Sequence, residues 1–283
     1  IQMELNAMKS AGDPTENPQG VRINRYLADA GYGSRRKVEE LVRSGRVQVS
    51  GELVTDLATR VFPDQIVRVD GITVHRSRKT VVFALNKPAR VLVSEADPEG
   101  RPLAIDAVRP YYSGRLFSVG RLDYMSTGLI LFTNDGDLAQ LLMRPATGIE
   151  REYVVETREP IPDETLEAFR RGITIEGIRY RLRDYHRHSA RRVALILQEG
   201  KNREIRRVMA HFRLKVRRIY RNRYGPIRLG SLPEGQVRPL NPNEIERLRA
   251  TIKRPGDDHG RQTTRKRSSR PTGGRARPPR KNR

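Results

Sequence analysis

Near the start of the chain, apolar residues recur at helical spacing in two short runs. Ile23, Leu27 and Ala30 mark the first, which Gly31 and Gly33 end. Ser34 is placed to cap the second, whose apolar stripe is Val38, Leu41 and Val42 and which Gly45 stops. The period then shortens. Val47-Gln48-Val49, Leu53-Val54 and Ile66-Val67-Arg68-Val69 predict short strands, broken at Ser50-Gly51 and Pro63-Asp64. Two helices followed by strands make a first folded unit over residues 21–75.

His75-Arg76-Ser77-Arg78-Lys79-Thr80 is polar and basic and reads as a linker. Beyond it, residues 81–252 mix strand-like runs with helices. Val81–Leu85, Leu129–Phe132, Tyr153–Val155 and Val193–Leu197 predict strands, and Leu138–Met143, Leu166–Arg171, Arg203–Phe212 and Glu244–Ile252 predict helices. In the helix over 203–212, Ile205, Val208, Met209 and Phe212 share one side and leave Arg203, Arg206 and Arg207 outward. Asn241-Pro242 offers a cap and a first-turn proline for the last helix. Strands and helices out of strict alternation predict an α+β chain, with a small α/β N-terminal unit and a larger domain built on a mainly antiparallel sheet. No internal repeat is visible.

Length agrees, since 283 residues correspond to about two domains. Charge narrows the class further. Against 33 Asp and Glu stand 56 Lys and Arg, a net +23, which favours a polyanionic partner, either nucleic acid or an anionic membrane surface. No run of apolar residues is long enough to span a membrane, and residues 1–20 show no signal-peptide pattern, so the expected location is cytoplasmic with no membrane partner. The absence of cysteine excludes disulfides, thiolate catalysis and cysteine-bearing zinc sites. Residues 1–20 read as a disordered leader and residues 253–283 as a disordered basic tail. From Arg261 to Arg283 there are ten Lys and Arg and no acid, a composition suited to non-specific nucleic-acid contact by counterion release. Arg22, Arg25, Arg35, Arg36, Lys37, Arg43 and Arg46 decorate the first two helices away from their stripes, with acid only at Asp29, Glu39 and Glu40. That one-signed face reads as an RNA contact.

Candidate chemistry centres on residues 120–136. Asp123 sits in a glycine-bounded polar loop just before a wholly apolar strand, where partial desolvation calls for a cationic partner. Two readings stand level at this point: a turn aspartate capping neighbouring amides, and a reacting carboxylate. His186 and His188 are two apart, but no further ligand spacing accompanies them, so no metal is expected. Phosphate-binding glycine loops are absent as well.

The string Arg22-Ile23-Asn24-Arg25-Tyr26-Leu27-Ala28, then Gly33-Ser34-Arg35-Arg36 and Gly45-Arg46-Val47-Gln48-Val49-Ser50-Gly51, resembles the S4-type RNA-binding domain. Such a domain docks on structured RNA, read largely through shape and backbone. The segment from Gly120 to Gly136 resembles the catalytic motif of the pseudouridine synthases, in the family of the small-subunit rRNA enzyme and of the B, E and F types that act on large-subunit rRNA. Asn86-Lys87-Pro88, Arg151-Glu152-Tyr153 and Glu199-Gly200-Lys201-Asn202-Arg203-Glu204-Ile205-Arg206-Arg207 match its other motifs in order. Asp97-Pro98-Glu99-Gly100-Arg101-Pro102 and Arg223-Tyr224-Gly225-Pro226-Ile227 bring the pattern closest to the B type, an enzyme of large-subunit rRNA.

The resemblance implies isomerisation of uridine in 23S ribosomal RNA without metal or redox cofactor. It makes Asp123 the catalytic aspartate, Tyr153 the active-site tyrosine and Lys201 the cation paired with that aspartate. The nucleotide must leave its stack to react; Arg121 would fill the vacated space or hold the flanking backbone, and Arg203, Arg206 and Arg207 would grip phosphates. Partners implied are ribosomal RNA or large-subunit assembly intermediates, met by a monomer. Small-subunit RNA as target and a non-catalytic assembly factor are the alternatives. Two departures stand out. Arg90 occupies a place where the family more often has glycine, and Tyr124-Met125 one where it has a small apolar and a polar residue. They bear on a turn and on the nucleotides flanking the target.

Overall fold

The computed structural model describes residues 20–75 and 79–252. Of the expected leader over residues 1–20 all but Gly20 lies outside the described residues, as do the middle of the linker and the basic tail.

The N-terminal unit runs β1 (Val21–Arg22), α1 (Ile23–Asp29), α2 (Arg35–Arg43), β2 (Val47–Val49), β3 (Glu52–Val54), β4 (Arg60–Val61), β5 (Val67–Val69) and β6 (Ile72–Thr73). The Lys37 backbone N–H donates to Ser34 Oγ at 3.3 Å, so the serine caps α2 as its sequence position indicates. Strands β3-β2-β5-β6 form one antiparallel sheet, and β1 pairs with β4. Ile23, Leu27, Val38 and Val42 from the helices meet Val47, Val49, Val67 and Val69 from the strands in a core of their own. Two of the basic residues assigned to the helices lie elsewhere. Arg22 is in β1, and Arg46 follows α2 and donates from Nε to Asp70 at 2.8 Å.

The larger unit begins with β7 (Val82–Lys87), α3 (Ala104–Val108), β8 (Phe117–Ser118), β9 (Thr127–Thr133), α4 (Gly136–Met143) and β10 (Arg151–Thr157). It continues through α5 (Asp163–Arg171), β11 (Ile173–Ile175), β12 (Ile178–Tyr180), β13 (Asp184–Ser189), β14 (Arg192–Leu197) and α6 (Glu204–His211). It closes with β15 (Val216–Tyr224), β16 (Ile227–Arg228), β17 (Val237–Pro239) and α7 (Pro242–Ala250). Nine strands form one sheet with the central path β13-β14-β10-β15-β9-β7-β17, while β16 flanks β15 and β8 flanks β9. All pairings in it are antiparallel except β9 with β15. Mixed α+β architecture with a mainly antiparallel sheet is thus what the chain adopts. At the last helix, Asn241 and Glu244 complete a reciprocal cap with Pro242 at the first position.

Both faces of the sheet are covered. On one face, Val82, Ala84, Leu129 and Leu131 pack under Leu138 and Leu142 of α4 and Leu248 of α7. On the other, two separate cores lie side by side. One joins Val155, Leu195 and Ile219 to α5 and α6; the other joins Leu85, Ile130 and Phe132 to Ala104 and Val108 of α3. Tyr153 packs against both, at the seam where they meet. No helix among the described residues is long and apolar enough to cross a membrane.

Candidate active site

Asp123 lies on the loop that enters β9, a strand buried at all seven positions. That loop is tied down from beneath by Lys87. Its ammonium, wholly buried, donates to the carbonyls of Pro88 at 2.7 Å, Val91 at 2.8 Å and Tyr124 at 3.5 Å. Burial pulls Lys87 down to about 8, opposed by Asp123 and Glu234, so it remains charged at neutral pH. The lysine of the lysine-proline motif is therefore a clamp on the residue after Asp123. Arg90 adopts the left-handed region (φ 61) and its N–H donates to Tyr124 O at 2.8 Å. The turn that favours glycine is kept, with arginine bearing its strain.

Asp123 itself is partly open, its side chain 40% exposed, and Arg206 Nε stands 3.8 Å from its Oδ2. This pairing corrects the expected one. Lys201 Nζ pairs with Glu199 at the rim of the site, not with Asp123. It also corrects the outward placement of Arg206, whose side chain is 21% exposed and faces the carboxylate. Burial depresses the arginine from its ordinary value while Asp123 raises it. The cause is the turn of α6: with Ile205, Val208 and Met209 drawn into the core, Arg206 on the flank of that stripe is carried against the Asp123 loop. Arg203 is exposed in a left-handed conformation (φ 50) at the helix N-cap, and Arg207 pairs with Glu176 at 3.0 Å.

Tyr153 is placed by a β-bulge. Glu152 pairs with Arg223 but Tyr153 with Arg221, so Asn222 is the extra residue opposite that step. Behind the ring lies Arg221, only 2% exposed, donating from Nε to Leu129 O at 2.6 Å and from Nη1 to Tyr153 Oη at 3.4 Å. Nothing in the basic run 216–224 distinguishes this buried arginine from the exposed Arg217 and Arg218; only the strand's alternation could have.

These groups border an open cleft of about 1030 Å³ that the N-terminal unit also walls. Asp123, Arg121, Tyr153, Lys201 and Arg203 line one side, and Arg25 and Arg35 reach it from α1 and α2. Arg25 pairs with Asp29 and with Asp137 of α4, and Arg115 Nη1 donates to Gly33 O at 2.6 Å across the two units. Arg22, Arg36 and Lys37 are exposed but do not border the cleft, as Arg206 and Arg207 do not. A second, smaller cavity of about 100 Å³ adjoins it and is lined by Asp123, Tyr153, Arg206 and Glu204. His186 and His188 do share a face of β13, ring centroids 5.1 Å apart, yet no group of three or more metal-ligating side chains exists among the described residues.

A carboxylate held beside a guanidinium, an aromatic platform and a basic cleft fit chemistry on a sugar-phosphate polymer. Comparison with known proteins decides the family. Residues 81–211 match the family described as RNA pseudouridylate synthase, and residues 21–67 match the S4 domain. A ribosomal large subunit pseudouridine synthase B of Bacillus subtilis (strain 168) is 35% identical over 246 residues, 85% of this chain and 98% of that protein. The chain belongs to the RNA pseudouridine synthase family. An RNA pseudouridine synthase of Borreliella burgdorferi is 38% identical to this synthase over 241 residues, covering 84% of this chain and 96% of the relative. Among solved structures, a crystal structure of a pseudouridylate synthase superimposes with a TM-score of 0.59 at 26% identity, over 81% of this synthase and 100% of that chain.

Proposed function

We propose that this synthase converts uridine to pseudouridine at a specific place in 23S ribosomal RNA. The observation that carries the reading is the Asp123–Arg206 pair at 3.8 Å, opening on a basic cleft; the relatives named as synthase B of the large subunit supply the RNA. Arg206 holds the carboxylate in place. The target nucleotide leaves its stack, its base lies against Tyr153, and Asp123 acts on the ribose. The C1′–N1 bond breaks, the base turns, and C5 bonds to C1′ while the hydrogen on C5 is released. Arg121, exposed beside Asp123, holds the flanking strand or fills the gap. Lys201, Arg203, Arg25 and Arg35 hold phosphates along the cleft, and the S4 domain sets where the substrate docks. The protein acts as a monomer on the RNA or on large-subunit assembly intermediates.

Release of tritium from RNA labelled at uridine C5 tests this, with 23S and 16S transcripts assayed separately. Release from 23S RNA that falls at least about a thousandfold in Asp123→Asn, with the thermal transition preserved, supports it. Release from 16S RNA alone moves the substrate to small-subunit RNA. RNA binding without release from either transcript makes the protein an assembly factor.

A further inference from the structure

Glu204 is the first residue of α6 and is 4% exposed. Its Oε2 accepts the Lys201 backbone N–H at 3.2 Å, which fixes the turn that leads into the helix. Its Oε1 is buried and has no hydrogen-bond partner. A buried, unmatched carboxyl oxygen is costly and calls for a ligand or a proton. Glu204 lines the small cavity that it shares with Asp123 and Tyr153, and Arg121, Asp123, Tyr153 and Lys201 border both this cavity and the open cleft. The cavity is therefore a recess that shares its wall with the cleft beside Asp123, and Glu204 is part of that wall.

We propose that Glu204, in its protonated form, donates a hydrogen bond from Oε1 to a carbonyl oxygen of the uracil as the base detaches. The idea rests on the function proposed above. When C1′–N1 breaks, the bonding pair leaves with the base and spreads over N1 and the two carbonyl oxygens. A neutral acid fixed at the edge of that ring stabilises the developing charge without giving up its proton, so no proton is gained or lost in the step.

The charge environment favours the neutral acid. Burial is the largest influence and pushes Glu204 up to about 7; Glu199 pushes the same way, while the Lys201 backbone and ammonium and Arg151 of β10 pull it down. Across the cavity stand Asp123 and Arg121 on the loop, Tyr153 on β10, and Arg203 and Arg206 at α6. A base closing the recess removes further water and raises the group again.

The test compares wild type, Glu204→Gln and Glu204→Met by single-turnover tritium release from the 23S transcript between about pH 6 and pH 9. Glutamine keeps an acceptor for the Lys201 N–H and an amide donor for the base, and does not ionise. Its rate is expected to lie about threefold below wild type at the acid end, and to stay flat while wild type falls toward tenfold per pH unit, so the profiles cross. Methionine is expected to lose about a hundredfold throughout. Superimposable pH profiles for wild type and Glu204→Gln, or a glutamine variant as slow as the methionine one, overturn the proposal. If Glu204→Met fails to fold, the crossing of the other two profiles decides. Absence of release by wild type removes the parent reading, and this one with it, whereas release by wild type with uncrossed profiles removes this one alone.

Discussion

A carboxylate in a polar loop has many uses, and what distinguishes Asp123 is its company. Arg206 Nε stands 3.8 Å from its carboxylate, whereas Lys201 pairs with Glu199 at the rim. The two basic residues should separate in kinetics. Arg206→Ala is expected to lower kcat by at least about a hundredfold, because it leaves the partly buried acid unmatched. Lys201→Ala is expected to raise KM and flatten the salt dependence with kcat changed by less than about fivefold. Equal losses of kcat, or the reverse order, would return Lys201 to the role that its motif implies. Glu204 carries a stability signature of its own. Its folded value of about 7 lies above the ordinary 4.5, so the native state holds the proton more tightly and stability falls as pH rises between those values. The full effect is about 3 kcal/mol. Urea unfolding of Glu204→Gln should show it more stable than wild type at pH 8 by up to about that amount, with little difference at pH 5. A constant difference at both pH values would mean that the carboxyl is not titrating in this window.

At the scale of elements, apolar runs announced themselves and basic ones did not. Strands β7, β9, β10 and β14 and helices α4 to α7 lie where apolar periodicity predicts them, because each presents a continuous face to one of the cores. β15 was illegible. It is a nine-residue strand reading Val-Arg-Arg-Ile-Tyr-Arg-Asn-Arg-Tyr at the middle of the sheet. Its pairing with β10 and β9 makes it a strand, a long-range effect that overrides local composition. The same close packing is testable. Gly128 has φ +98, and a Cβ there would lie 2.4 Å from Arg221 O, so Gly128→Ala must force β9 from β15. We expect a loss of about 2–4 kcal/mol and reduced activity, read by chemical unfolding and tritium release. Arg90→Gly should do the opposite, relieving a left-handed arginine and adding up to about 1 kcal/mol with activity preserved. Destabilisation by Arg90→Gly would show that its side chain, rather than its φ, matters to the turn.

For the molecule as a whole, charge and architecture act together. The S4 domain and the larger domain share the wall of one cleft, linked by Arg25 to Asp137 and by Arg115 to Gly33. Positive charge lines it from both sides, and Asp123 lies in its wall. Residues 253–283 add twelve Lys and Arg against two Asp. Deleting them should weaken binding of the 23S transcript about tenfold or more at low salt, and make log K fall less steeply with log salt, with saturated turnover unchanged. An unaltered salt slope would remove the tail from RNA binding.

The sequence by itself determined the two-unit organisation, the α+β class, the basic partner-seeking character and the loop that carries Asp123. Each of these is written in local signals: periodicity, capping residues, composition and ordered motifs. Tertiary structure alone decided which cation meets Asp123, which arginine is buried behind Tyr153, and that Glu204 is left with an unmatched oxygen beside the site. Those outcomes depend on distance between residues far apart in the chain. Arg206 and Lys201 look equally eligible until the core draws Ile205, Val208 and Met209 inward and swings one of them onto the carboxylate.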